Sequence, residues 1–150
     1  MQTISLSTHL EASQQVAWDV ISDHSLYGSF TGTSQVTLEK QGTPHTNGVG
    51  AIRVFHVGPI RIREEITTFE PPKQMAYRVL SLPLPLRNCR SDLLLVPCED
   101  GGSCILHWDS WFELAIPFTG GVLRRVVAAQ LNKIVAGIAV EVARRAGSAS

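Results

Sequence analysis

The sequence predicts an α+β domain in which a curved antiparallel sheet of seven strands wraps one long C-terminal helix, the helix-grip arrangement. Three observations carry this prediction. Through Val122–Arg145, Leu123, Val127, Leu131, Ile134, Val135, Ile138 and Val142 fall on one side of a helical wheel, and Arg125, Asn132, Lys133 and Arg144 fall on the other. From Ser34 to Leu114 the apolar period drops to two, interrupted by segments rich in turn formers. Two short helical stretches separate that run from a first strand. An antiparallel sheet must cover one face, and the long helix is the element able to cover it.

Taken in order, Ile4, Leu6 and Leu10 alternate with polar neighbours and predict a first strand over Thr3–Leu10. Ser13 stands as an N-cap ahead of Val16, Ala17, Val20 and Ile21, with Trp18 beside them, and predicts a short helix. Asp23–Phe30 predicts a second helical turn ending near Gly32. Trp18, Tyr27 and Phe30 are assigned to packing. The remaining strands are Ser34–Lys40, Val49–Val57, Ile60–Phe69, Gln74–Leu82, Asn88–Pro97 and Ser103–Leu114. Their connections at Gly42–Gly48, Gly58–Pro59, Glu70–Lys73, Pro83–Pro85 and Glu99–Gly102 are short, so consecutive strands are antiparallel neighbours in a meander. Gly120 and Gly121 precede the long helix, and Gly147 with its serines ends it.

At 150 residues the chain is read as one domain with a real core. Thirteen Lys and Arg balance thirteen Asp and Glu, and a formal charge of zero steers the chain toward neither nucleic acid nor an anionic membrane. Arg124, Arg125, Lys133, Arg144 and Arg145 collect on the last helix, but no aromatic residues interleave to stack bases, so they read as a solvated face. The longest uninterrupted apolar run on that helix, Ile134–Val140, falls short of a membrane span, and no stable membrane insertion is expected. The N-terminal stretch lacks the basic start and apolar core of a signal peptide. Cys89, Cys98 and Cys104 are odd in number and read as reduced thiols of a cytoplasmic protein.

Candidate chemistry is sparse. The five histidines include no pair at metal-ligating spacing. Gly42–Gly50 leads into a strand and lacks the lysine of a phosphate loop, and no Ser or Cys sits in a nucleophile elbow. Neither metal nor cofactor is expected. A two-residue turn at Gly58–Pro59 sets a register in which Val57 faces Ile60, Phe55 faces Ile62, Arg53 faces Glu64 and Ala51 faces Ile66. That face is apolar apart from one Arg–Glu pair, while His56, Arg61, Arg63 and Glu65 take the solvent side; a one-residue slip would bury all four. A buried charge is tolerable only when paired, so Arg53 and Glu64 are expected to pair under the helix. The hairpin at Glu70–Lys73 adds Met75, Tyr77 and Val79 to that side, with Tyr77 near Ile66. Arg53, Glu64 and Tyr77 are either a ligand-binding or catalytic group, or a clamp between strands.

In the last strand Cys104, Leu106, Trp108, Ser110, Phe112 and Leu114 form the inward face, where Trp108 and Phe112 could stack on a flat ligand. His107 and Asp109 share the other face, as surface residues or as a hydrogen-bonded pair. Together with Leu131, Ile134 and Ile138 of the helix, the residues Phe55, Ile62, Met75, Tyr77, Trp108 and Phe112 are the expected cavity wall. The apolar loops carrying Leu84, Leu86 and Phe118 are expected to form its gate.

Several segments also resemble a known family: VAWDVISD at Val16–Asp23 with Tyr27 beyond it, GVGAIR at Gly48–Arg53, REEITTFEPPKQMAYRV at Arg63–Val79, and EDGGSCILHW at Glu99–Trp108. Followed by a Pro-Phe-Thr-Gly-Gly lead into the long helix, they resemble the polyketide cyclase/dehydrase branch of the START-like (Bet v 1-like, SRPBCC) superfamily. The resemblance implies the helix-grip fold over nearly the whole chain and a cavity for a hydrophobic or aromatic small molecule, such as a lipid, polyketide, steroid or phenolic compound. Three functions stay open: a binding or transport module for that small apolar molecule; a metal-free cyclase or dehydratase, in which Arg53 stabilises an enolate and Tyr77 or Glu64 moves a proton; and an interaction protein, monomer or homodimer, with a filled core.

Overall fold

The computed structural model describes residues 1–31 and 35–148, so the expected helix end at Gly32 and strand start at Ser34 lie outside the described residues. The order is β1 (Gln2–Leu10), α1 (Gln14–Ile21), a 3-10 turn (His24–Leu26), α2 (Tyr27–Thr31), β2 (Gln35–Lys40), β3 (Ile52–Val57), β4 (Ile60–Glu70), β5 (Gln74–Ser81), β6 (Leu86–Pro97), β7 (Cys104–Leu114) and α3 (Gly120–Ser148). The seven strands form one antiparallel sheet in the order β1-β7-β6-β5-β4-β3-β2. The meander therefore runs from β2 to β7, and β1 closes the far edge. Register shifts in β2 (Leu38/Lys40), β4 (Ile66/Thr68) and β6 (Arg87/Arg90) mark bulges, which bend and twist a sheet.

Local chemistry accounts for the boundaries. The Ser13 hydroxyl accepts from the Val16 amide at 3.3 Å and starts α1. Gly58 opens the β3–β4 turn at φ 59°, a conformation that costs glycine nothing. Asp100 closes the β6–β7 turn by accepting from the Gly102 and Ser103 amides at 2.9 and 3.0 Å. The glycines expected to bound the long helix lie inside it: Gly120 and Gly121 form its first turn, and Gly147 falls in its last. β3 begins at Ile52 rather than Val49, because Gly50 takes φ 89° and leaves Val49 exposed.

α3 lies against α1, α2 and β1. Its buried residues are Leu123, Leu131, Ile134, Val135, Ile138 and Val142, the stripe of the helical wheel apart from Val127, which is half-buried. α2 comes so close that a Cβ on Gly137 would sit 2.7 Å from the Phe30 ring. By length and composition α3 is apolar enough to cross a membrane, although its longest uninterrupted apolar run is short. In this fold its stripe covers the core, and Val122, Val126 and Val140 add apolar surface outside it.

Candidate functional site

Between α3 and the concave face of the sheet lies a cavity of about 370 Å³. β3 and β4 supply Arg53, Phe55, Ile62 and Glu64; β5 supplies Tyr77 and Val79; β6 and β7 supply Ser91, Trp108, Ser110 and Phe112. α3 contributes Val126, Val127, Gln130, Leu131 and Ile134, while Leu82, Pro83, Leu84 and Leu86 stand at one side. The expected register holds across β3 and β4: Val57 pairs with Ile60, Phe55 with Ile62 and Arg53 with Glu64. Tyr77 pairs with Ile66 on the next hairpin.

Arg53 and Glu64 meet under the helix. Nη2 of Arg53 donates to Oε1 of Glu64 at 2.7 Å, and their side chains are 3% and 12% exposed. The guanidinium carbon lies 4.9 Å from the Tyr27 ring centre, 5.1 Å from that of Tyr77 and 5.7 Å from that of Phe55. Three aromatic faces and one carboxylate thus surround a buried cation, each stabilising it electrostatically. Burial raises the proton affinity of Glu64 above that of an ordinary carboxyl, and the charge of Arg53 opposes that rise without cancelling it. Burial likewise raises the Tyr77 phenol, so it stays protonated and serves as a hydrogen-bond donor. The Tyr27 hydroxyl donates to the Ile21 carbonyl at 2.6 Å, which anchors its ring under the cation. The Ser91 and Ser110 hydroxyls share a 2.6 Å hydrogen bond. Nε of Arg53 and Nε1 of Trp108 are buried donors without a partner among the described residues.

Most of the expected wall is present: Phe55, Ile62, Tyr77, Trp108, Phe112, Leu131 and Ile134 line the cavity, as do Leu84 and Leu86 of the expected gate. Three residues sit elsewhere. Met75 and Ile138 face inward but lie beyond the cavity, packed in the apolar core. Phe118 adopts φ 67° in the turn before α3, which throws its ring fully into solvent instead of over the mouth. His107 does not pair with Asp109; its Nδ1 meets the Ser7 hydroxyl on β1 at 2.8 Å, because side chains two apart on a strand reach across to the neighbour more readily than along the chain. Tyr27, Ser91 and Gln130 were not anticipated. Serine in the period-2 pattern of β6 was the available signal for Ser91, whereas the docking of Tyr27 depends on how α2 meets the sheet. Among the described residues, no cluster of His, Cys, Asp or Glu could hold a metal ion.

Comparison with known proteins gives a consistent placement. The family described as polyketide cyclase / dehydrase and lipid transport matches residues 1–146. No curated protein matches. Among solved structures, a START superfamily protein from Mycobacterium smegmatis superposes with a TM-score of 0.79 at 12% identity, covering 95% of this chain and 97% of its own. A Thermobifida fusca protein solved by NMR gives 0.72 at 27% identity over 89% and 91% of the two chains. Norcoclaurine synthase from Thalictrum flavum, in complex with dopamine and hydroxybenzaldehyde, gives 0.73 at 16% identity over 95% and 87%. With the seven-stranded sheet gripping α3 and the family match running almost end to end, the chain belongs to the polyketide cyclase/dehydrase branch of the START-like, Bet v 1-like superfamily.

Proposed function

We propose that the protein binds or carries a small hydrophobic or aromatic molecule in the cavity between the sheet and α3. The observation that carries this reading is the make-up of the wall: largely apolar and aromatic, with an internally neutralised Arg53–Glu64 pair within and Arg90 at its β6 side. A filled core would leave no such space, which counts against an interaction protein. The test is titration with a neutral naphthylamine probe, together with native mass spectrometry of gently purified protein. Saturable uptake of one probe per chain, reduced at least tenfold by Leu131→Trp, is the expected result. Absence of both uptake and a co-purified molecule would reject the reading.

A second reading, a cyclase or dehydratase, is favoured by Glu64, a buried carboxyl on the cavity wall whose proton affinity burial raises, with the Tyr77 phenol on the same wall. On this reading Glu64→Gln abolishes turnover of a co-purified molecule while leaving its binding within a few-fold. Equal loss of both would return Glu64 to the role of a clamp. That a solved neighbour, norcoclaurine synthase, is an enzyme with two aromatic compounds bound is compatible with either reading. We further propose the cytoplasm as the compartment, since Cys89, Cys98 and Cys104 are free thiols. Three titratable thiols in protein taken from its native source are expected, and a disulfide would refute the assignment.

A further inference from the structure

The sheet is not sealed over the cavity. Pairing between β5 and β6 ends at Arg78 opposite Arg90, although β5 continues to Ser81 and β6 begins at Leu86. Beyond that pair the strands separate, helped by the bulge in β6 where Asn88 takes φ 50°. A second hollow of about 590 Å³ occupies the gap, and residues from both faces of the sheet line it. Val79, Leu86 and Cys89 come from the inner face and belong to the main cavity as well; Arg78, Leu80 and Arg87 come from the outer face. The gap therefore adjoins the main cavity, the two sharing Val79, Leu82, Leu86, Cys89 and Arg90.

Its outer rim is basic. Arg78 is neutralised by Glu65 at 2.6 Å. Glu113, opposite Arg87 on β7, accepts from Asn88 at 2.9 Å. Arg87 and Arg90 have no carboxylate within ion-pair distance among the described residues, and Arg90 is held over the Trp111 ring at 5.0 Å. Three arginines against two glutamates leave one positive charge at the rim, enough for one anionic group. Inside the cavity the Arg53 guanidinium already pairs with Glu64, so an anion reaching its remaining Nε donor would lie beside a like charge.

Resting on the binding reading above, we propose that the ligand is an amphiphile, its apolar body in the cavity and one anionic end, carboxylate or phosphate, in the β5–β6 gap on Arg87 and Arg90. Guanidinium groups match both anions in geometry and charge. The test compares decanoate, decyl phosphate and decanol by displacement of the neutral naphthylamine probe, in wild type, the Arg87→Gln/Arg90→Gln double variant and an Arg125→Gln control on the exposed face of α3. An anion binding at least about tenfold tighter than the alcohol is expected, the scale of a charge-assisted hydrogen bond, with the tighter of the two identifying the anionic group. The double variant brings the anion down to the affinity of the alcohol, and the control does not. In wild type the anion also slows alkylation of Cys89, which lines both hollows. Acid and alcohol binding equally, or a preference that survives in the double variant, would overturn the inference while leaving the binding reading intact. Failure of all three compounds to bind would remove both.

Discussion

Replacing Arg53 by Met keeps an unbranched chain of similar length but strands Glu64, only 12% exposed, beside three aromatic rings. Removing one member of a buried ion pair costs about 3–5 kcal/mol, because the remaining charge keeps its desolvation penalty and loses its partner. We expect the lower part of that range at pH 7.5, since the adjoining cavity gives Glu64 room to relax. The cost has a sign in pH. Glu64 already holds its proton more tightly in the folded state than in the unfolded one, and without Arg53 it does so further. The variant is therefore most stable below the unfolded carboxyl range and loses stability as pH rises through the folded value, by at most about 1.4 kcal/mol per unit. Pairing the change with Glu64→Leu removes the stranded charge and should restore stability to within about 1 kcal/mol of wild type, or above it. Urea denaturation followed by tryptophan fluorescence between pH 5 and 8 measures all four members of the cycle. A single-variant cost below about 1 kcal/mol that does not vary with pH would show that the pair is solvated and would refute this account of the site.

Other consequences are simpler. Gly137→Ala drives a methyl to 2.7 Å from the Phe30 ring, and the crowding should exceed the helical gain of about 1 kcal/mol, for a net loss of about 1–2 kcal/mol in a urea melt; a stabilised variant would mean that α2 does not press on α3. Trp108→Phe deletes a buried donor that has no partner among the described residues, so it should cost less than about 2 kcal/mol, well under truncation of a core side chain to alanine; a larger loss would reveal an acceptor bound there. Arg144 and then Arg145 hold Glu141 down to about 2, so the ion pair stabilises the fold above the ordinary carboxyl range and is lost as pH falls toward 2. Because both arginines are partly solvated, Glu141→Gln should cost only about 0.5–1 kcal/mol at pH 7 and progressively less as pH falls toward 2, and an equal cost at both ends would break the assignment.

The Arg53–Glu64 pair was legible because a two-residue turn and a period of two leave a hairpin almost no freedom: once Gly58–Pro59 is the turn, every cross-strand partner follows. The α3 stripe was legible for the same kind of reason. Periodicity gives the face of a residue but not its depth. Met75 shares its face with Tyr77, yet one packs in the core and the other meets the cavity. Phe118 was misplaced because a single positive φ reverses a side chain, and a phenylalanine gives no warning of it. Tyr27 owes its position under Arg53 to the docking of helix on sheet, which no local pattern encodes. The β5–β6 gap arises where pairing stops, and the Leu-Pro-Leu-Pro-Leu stretch announces a loop without saying that the strands beside it part.

The pairing of β1 with β7 has a further consequence for how the chain acquires its shape. Gln2 lies opposite Phe112 and Leu10 opposite Cys104, so the first strand made finds its sheet neighbour only after some hundred intervening residues have been added. Contacts of such sequence separation are slow to form because a long loop must close before they yield any stabilisation. The meander from β2 onward can assemble hairpin by hairpin as it emerges, whereas β1 stays an unpaired edge until β7 arrives. Completion of the sheet is thus a late event in synthesis, and until then β1 is open to proteases and to association with other chains.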